Sequence, residues 1–291
     1  MQNSERVKTQ FDEIVEYTVI VLSRNHGRFI SDCLSSINRE LWDAKILCAD
    51  IGSSDDSFSL GKQIASKFGL KSQHFELSED TKTLSALKKL EDIIDTKYAI
   101  LISADDALGE NYRIALKNFR SMYPQESVIN FTSLLTDENL VVIGSKIPSW
   151  RETASDNRHL LSFSNPGTAP GAVVPWRILV QQVAWKNPPD ILIEDYWIWW
   201  QLVEHVPFVN CYESNVLYRQ HQHNVSKASK NQDYAYSLGF VTAIPNIKAN
   251  EIINKMKALL LIVRWIRHLN FVVWPYFCKG LIYAHRTRST L

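Results

Sequence analysis

Two adjacent carboxylates, Asp105 and Asp106, follow the apolar run Tyr98-Ala-Ile-Leu-Ile102 and the small pair Ser103-Ala104. Carboxylate oxygens ligate hard cations such as Mg²⁺ or Mn²⁺ and accept hydrogen bonds from N–H groups. A second acidic turn, Asp50-Ile-Gly-Ser-Ser-Asp55, follows Lys45-Ile-Leu-Cys-Ala49. Gly52 and the serines suit a tight turn there, and a turn alone accounts for both aspartates. Glu194-Asp195 precedes Tyr196 to His205, an apolar stretch suited to a helix, where the dipole favours negative charge without any catalysis. His221 and His223 lie in Tyr218-Arg-Gln-His-Gln-His-Asn-Val-Ser226, where Arg219 suits a loop-closing ion pair as well as an anion contact.

These residues need a frame. Tyr17-Thr-Val-Ile-Val-Leu22 is an apolar, β-rich run ending in Ser23-Arg-Asn-His-Gly27, which is turn chemistry. Phe29, Ile30, Cys33, Leu34 and Ile37 then recur at helical spacing before the strand at Lys45, giving strand, helix, strand. The alternation continues with a helix over Phe58 to Phe68, a strand over Ser72 to Leu77, a helix over Leu84 to Ile94 and a strand over Tyr98 to Ile102. Such alternation predicts a mainly parallel sheet with helices on both faces, with ligands beyond the carboxyl ends of its strands. The loops Ser23 to Gly27, Asp50 to Asp56 and Ser103 to Asp106 all fall at those ends. Further on, a helix around Tyr112 to Met122, strands near Val128 to Leu135 and Leu140 to Ile143, and an irregular Pro148 to Thr168 segment are expected.

In this order, Val19-Ile-Val-Leu-Ser-Arg-Asn25, Asp50-Ile-Gly-Ser-Ser-Asp55, Ile102-Ser-Ala-Asp-Asp106, Ile193-Glu-Asp-Tyr-Trp197 and Tyr218-Arg-Gln-His-Gln-His-Asn-Val-Ser226 resemble the family 2 glycosyltransferases of GT-A fold. Each motif alone is weak, whereas five in the family's order are hard to reach by accident. The resemblance implies a GT-A, Rossmann-like α/β catalytic domain over 1–240, with a nucleotide-binding half over 17–108 and an acceptor half over 109–240. It implies an inverting enzyme that moves a sugar from a UDP-, dTDP- or GDP-linked donor to a glycan or lipid-linked acceptor, in bacterial surface-polysaccharide or O-antigen assembly.

By the same resemblance, Ser23, Asn25, Asp50, Asp55 and Asp105 serve the donor nucleotide, and Asp50 hydrogen-bonds its base. Asp106, with Asp105 as a second candidate, and His221 hold Mg²⁺ or Mn²⁺, with His223 a weaker alternative. Asp195 is the general base, and Glu194, Trp197 and Arg219 support it or the acceptor. Asn165-Pro-Gly-Thr-Ala-Pro-Gly171 stands where the family carries a Gly-rich acceptor-side loop. Two departures stand out: Ser103 replaces the first Asp of the Asp-x-Asp motif, and Ile51 replaces the second Asp of the Asp-Asp-Gly-Ser turn. A non-catalytic module that binds nucleotide sugar or glycan is the competing reading. An NAD-dependent oxidoreductase is disfavoured, because no Gly-x-Gly-x-x-Gly follows the first strand.

The 291 residues suit one large domain with an appendage, and 45% hydrophobic content places the chain among globular proteins. Nine Trp, eleven Tyr and twelve Phe provide core fillers and surfaces on which sugars stack. Cys33, Cys48, Cys211 and Cys278 form no close pair, and no secretory signal opens the chain, so a cytoplasmic location is expected. Nothing points to nucleic acid; self-association remains open.

Charge is uneven. The net charge is +1, yet seven basic residues and no acidic one follow Glu251, so the tail carries +7 and the body −6. In Ile252 to Trp274, Lys257, Arg264 and His268 share one helical face, with Leu, Ile, Val and Trp around the rest. Over 241–291 this predicts a basic amphipathic helical tail that lies on a membrane or packs on protein.

Overall fold

The computed structural model describes residues 17–123, 125–161, 165–182, 194–222 and 224. The sheet begins with β1 (Tyr17–Ser23), β2 (Lys45–Ile51), β3 (Ser72–Leu77) and β4 (Tyr98–Ser103), linked by α1 (Ile30–Glu40), α2 (Ser57–Phe68) and α3 (Thr83–Lys89). It continues through β5 (Ala107–Leu108), α4 (Tyr112–Met122), β6 (Val128–Thr136), β7 (Val142–Lys146), α5 (Ala154–Leu161), β8 (Ala172–Pro175), α6 (Trp176–Gln182), α7 (Glu194–Leu202) and β9 (Phe208–Arg219).

The nine strands form one sheet in the order β3-β2-β1-β4-β8-β6-β9-β5, with β7 added beside β6. β1 to β4 are mutually parallel, and β6 and β9 run the same way, while β5, β7 and β8 run opposite. The sheet is therefore mixed but mostly parallel, with its parallel half built from the alternating motif read in the sequence.

Period-two alternation sends successive residues of each central strand into separate cores. Ile20, Leu47, Ala99 and Leu101 join α3, α6 and α7 on one face. Val19, Val21, Ile46, Cys48, Ile100 and Ile102 join α1, α2 and α4 on the other. Burial on both faces explains why these strands read as continuous apolar runs, not as alternating ones. Each such Ile or Val stabilises the fold by about 1.5–3 kcal/mol relative to exposure.

The second half holds more regular structure than expected, β8 and α6 included. The segment read as irregular contains α5, whose first turn is capped by Thr153: its Oγ accepts from Asp156 N at 3.1 Å. The long strand β9 is also new. Its pairing with β6 jumps from Cys211 to Asn215 as β6 steps from Phe131 to Thr132, so a bulge interrupts its alternation. The bulge still lets β9 run on to Arg219, delivering the following residues to the carboxyl end of the sheet. The tail and His223 lie outside the described residues.

Candidate functional site

The site grows from the ends of the parallel strands. In β1 and β2, Ser23 pairs in register with Asp50, so both loops leave the sheet side by side. The Asp50 carboxylate accepts from Ser53 N at 2.8 Å and from Ser53 Oγ at 2.7 Å, closing the turn at Gly52. Gly52 has φ +60°, and a Cβ there would lie 2.3 Å from Glu79 Cα, so only glycine fits. Ser23, Asp50, Ser57 and His74 line a small recess between β1, β2 and α2. The Ser23 hydroxyl is buried there with no partner among the described residues.

Polar contacts bind the two loops to each other. Asn25, at φ 57°, accepts through Oδ1 from Ser54 N at 2.7 Å, and its own N–H donates to Ser53 Oγ at 2.8 Å. Asp55 accepts from Gly27 N and Ser57 N, both at 3.0 Å, and from the Ser57 hydroxyl. Burial opposes ionisation of Asp55, but these hydrogen bonds outweigh it and hold the carboxyl below its ordinary range. His26 N donates to Ser57 Oγ at 2.8 Å, while Phe29 N and Ile30 N donate to its carbonyl, so the His26 backbone is pinned on both sides.

At the end of β4 the two aspartates part company. Asp105, 6% exposed, faces two imidazoles: its Oδ2 lies 2.9 Å from His221 Nε2 and 3.6 Å from His26 Nε2. One ligand atom from each of the three residues can lie within 4.8 Å of the other two. The other oxygen, Asp105 Oδ1, is buried with no hydrogen-bond partner among the described residues, as is His26 Nδ1. Burial pushes the Asp105 carboxyl up, but the hydrogen bond to His221, the nearby His26 and the Ser103 hydroxyl bring it below the usual range. Burial likewise lowers His26, against the pull of Asp105.

Asp106, expected to share a cation with His221, faces elsewhere. It is 2% exposed and accepts from Arg219 N at 2.9 Å, and burial, then the charge of Asp105, raise its carboxyl well above the ordinary value. The structure thus brings Asp105, and not Asp106, together with His221.

Arg219 is 1% exposed and acts as a clasp. Its Nε donates to Asp105 O at 2.7 Å, Nη1 donates to Glu138 O, Nη2 donates to Asp32 Oδ2 at 2.7 Å, and the guanidinium stacks on Phe29. It ties β9 to the β4 loop, to α1 and to the β6–β7 hairpin. Beyond it, Asn224 Nδ2 donates to Arg219 O at 3.0 Å and Asn224 Oδ1 accepts from His221 N, fixing the loop that carries the His221 ring.

Asp195 lies at the start of α7, and Glu194 opens that helix. Asp195 is 8% exposed; it accepts from Tyr196 N at 2.8 Å and from Asn165 Nδ2 at 2.9 Å. Burial raises its carboxyl above the ordinary value against Lys146 and these hydrogen bonds. Asn165 thereby couples the 165–171 loop to the carboxylate. That loop is itself held by Lys146 Nζ on Gly167 O at 2.8 Å, Asn130 Nδ2 on Thr168 O at 2.8 Å and Tyr112 OH on Gly171 O at 2.6 Å. Trp197 is 4% exposed and packs in the core with Trp150, Trp199 and Phe208.

No protein-family model and no curated protein sequence matches the chain. Solved structures do match its fold. S. aureus TarS 1–349 in complex with UDP-GlcNAc superposes with a TM-score of 0.61 at 13% identity, covering 91% of this chain and 79% of that one. The mannosyltransferase PcManGT from Pyrobaculum calidifontis, in complex with GDP-Man and Mn²⁺, gives 0.55 at 12% identity over 94% and 88%. The chain has a GT-A-like fold. In that fold the ends of β1, β2 and β4 meet the end of β9, which is where Asp50, Asp105, His221 and His26 lie. His26 was missed in the sequence although its loop was singled out; a histidine at the carboxyl end of a parallel strand was the available signal.

The donor set suits a divalent cation: one buried carboxylate with a spare oxygen, and two imidazoles within a few ångströms of it.

Proposed function

We propose that the chain is an inverting glycosyltransferase that moves a sugar from a nucleoside-diphosphate donor to a hydroxyl of a glycan or lipid-linked acceptor. The observation that carries this reading is the buried Asp105 at the mouth of the parallel strands, whose Oδ2 lies 2.9 Å from His221 Nε2 and 3.6 Å from His26 Nε2. The shared fold with chains bound to UDP-GlcNAc and to GDP-Man and Mn²⁺ supports it.

Residues 17–108 form the donor half. Asp50 spends one lone pair of each oxygen on Ser53 and keeps capacity to accept an imide N–H from a base. Ser23 offers a buried hydroxyl beside it, and Asn25 and Asp55 hold the two loops in place. Asp105 and His221 would hold Mg²⁺ or Mn²⁺, whose charge stabilises the departing diphosphate. Arg219 spends its guanidinium inside the protein and positions Asp105, not the phosphate.

Asp195 is the general base. Its raised affinity for a proton suits it to take one from an acceptor hydroxyl, and Tyr196 N and Asn165 fix its orientation. The acceptor oxygen attacks the anomeric carbon from the face opposite the diphosphate, so one displacement inverts the configuration. The 165–171 loop borders the acceptor, Glu194 is the neighbouring carboxylate that supports the base, and Trp197 of the same helix packs in the core.

The basic tail holds the protein on the anionic inner face of a cell membrane, at about 1 kcal/mol for each basic side chain near the surface, as a lipid-linked acceptor of surface polysaccharide requires. Among the described residues, no helix is long and apolar enough to cross a membrane. The test is a panel of UDP-, dTDP- and GDP-sugars with Mn²⁺, Mg²⁺ or chelator, reading bound donor, released nucleotide and product anomer. Turnover lost in Asp195→Asn supports the reading; donor bound with no turnover in the presence of acceptors points to a binding module.

A further inference from the structure

We propose that His26 is a third protein ligand of the cation, giving a two-histidine, one-carboxylate site that takes a first-row transition dication in preference to Mg²⁺. The proposal rests on the reading that Asp105 and His221 hold a cation, and it adds both a ligand and a metal class to it.

Geometry carries the first half. With metal–ligand bonds of about 2.1 Å, neighbouring ligand atoms of an octahedron stand about 3.0 Å apart and those of a tetrahedron about 3.4 Å. The separations of 2.9 Å from Asp105 Oδ2 to His221 Nε2 and 3.6 Å to His26 Nε2 bracket these values. The three residues come from the β1–α1 loop, the end of β4 and the end of β9, each anchored by its own contacts. Ser57 and the first turn of α1 pin the His26 backbone, Arg219 Nε holds Asp105 O, and Asn224 holds the His221 N–H. A second observation is that the opposite atoms of the same side chains, Asp105 Oδ1 and His26 Nδ1, are buried with no hydrogen-bond partner among the described residues, so no closed hydrogen-bond network fixes the two side chains.

Donor chemistry carries the second half. Mg²⁺ takes oxygen ligands and keeps much of its water, whereas imidazole nitrogen suits first-row transition ions, whose affinities rise along the Irving–Williams series. One histidine beside a carboxylate leaves Mg²⁺ competitive; a second shifts the set toward Mn²⁺, Co²⁺ or Zn²⁺. The arrangement leaves the remaining coordination positions open to diphosphate oxygens.

The test uses the full chain and direct metal binding. Mn²⁺ titrations followed by electron paramagnetic resonance, with and without GDP or UDP, are compared for wild type, His26→Gln and His26→Asn, each checked by circular dichroism. Pulsed spectra count the imidazole nitrogens. The expected result is two coupled imidazoles in wild type and one in either folded variant, with Mn²⁺ affinity at least about tenfold weaker and Mg²⁺ displacing Mn²⁺ from wild type only at large excess. Mn²⁺ bound equally by wild type and variants, or displaced by equimolar Mg²⁺, overturns the proposal and leaves the Asp105–His221 cation reading standing. A wild-type chain that binds nucleotide sugar but holds no Mn²⁺ under any condition overturns both. A chain that holds Mn²⁺ on two imidazoles but binds no nucleotide sugar sustains this proposal while the donor reading fails.

Discussion

Replacing Arg219 by Met separates a structural clasp from a phosphate-binding residue, because the two roles fail in different assays. The guanidinium is 1% exposed and serves Asp105 O, Glu138 O and Asp32 while stacking on Phe29. Each buried carbonyl left without its donor costs about 1–3 kcal/mol. The Asp32 pair adds little, since that carboxylate is 49% exposed and screened by solvent. Loss of the Phe29 stack contributes about 1 kcal/mol, and the buried Met side chain returns part of the total. The net expectation is about 3–5 kcal/mol, or a Tm lowered by roughly 10 °C at about 2–4 °C per kcal/mol for a domain of this size. Arg28→Met is the control: Arg28 is 68% exposed in its pair with Glu138, and its loss stays within about 0.5 kcal/mol. Thermal melts followed by circular dichroism read both. An Arg219→Met chain that melts within about 2 °C of wild type yet loses donor binding would refute the clasp and put the guanidinium on the ligand.

Further expectations concern the base, its titration and the donor turn. Asp195→Asn keeps the fold and lowers kcat by about 10²–10⁴, measured as product formed at saturating donor. Because burial raises the Asp195 carboxyl and the base works ionised, kcat/KM falls as pH drops through a value above the ordinary aspartate range; an acid limb at or below about pH 4 contradicts the assignment. Gly52→Ala places a Cβ against Glu79 at φ +60° and costs about 1–3 kcal/mol in urea melts, with donor affinity falling because the Asp50–Ser53 turn must shift. Wild type floats with anionic liposomes, and a chain ending at Ala249 does not; equal flotation of both would sink the membrane role of the tail.

What the sequence disclosed follows from burial. The strands β1, β2 and β4 lie between two cores, so their apolar runs end sharply at Ser23, at the Asp50 turn and at Ser103, and both position and order are legible. By contrast, β9 reads Phe-Val-Asn-Cys-Tyr-Glu-Ser-Asn-Val-Leu-Tyr-Arg, half-exposed and interrupted by a bulge, and its alternation is lost. The helix α5 opens Ala-Ser-Asp-Asn, and its Ser, Asp and Asn are weak helix formers that tertiary contact and the Thr153 cap override.

The site divides the same way. Residue type marks Asp50, Asp105, Asp195 and His221, but the pairing of His221 with Asp105 spans 116 positions and exists only through β9. Nor can type decide between Asp105 and Asp106, which leave β4 in a turn closed by Asp106 N on Ser103 O and face different ways. The pattern favoured Asp106; the fold turns it onto Arg219 N. His26 hid among Ser, Arg, Asn and Gly, a composition that reads as a turn.

The central claim is that Asp105 organises a cation-dependent site for a nucleoside-diphosphate sugar. Calorimetric titration of UDP-, dTDP- and GDP-sugars into wild type and Asp105→Asn, each with Mn²⁺ and with chelator, tests it most directly. At least one donor is expected to bind wild type with Mn²⁺, with binding lost on chelation and lost in Asp105→Asn. Binding that survives both, or no binding of any donor, would contradict it.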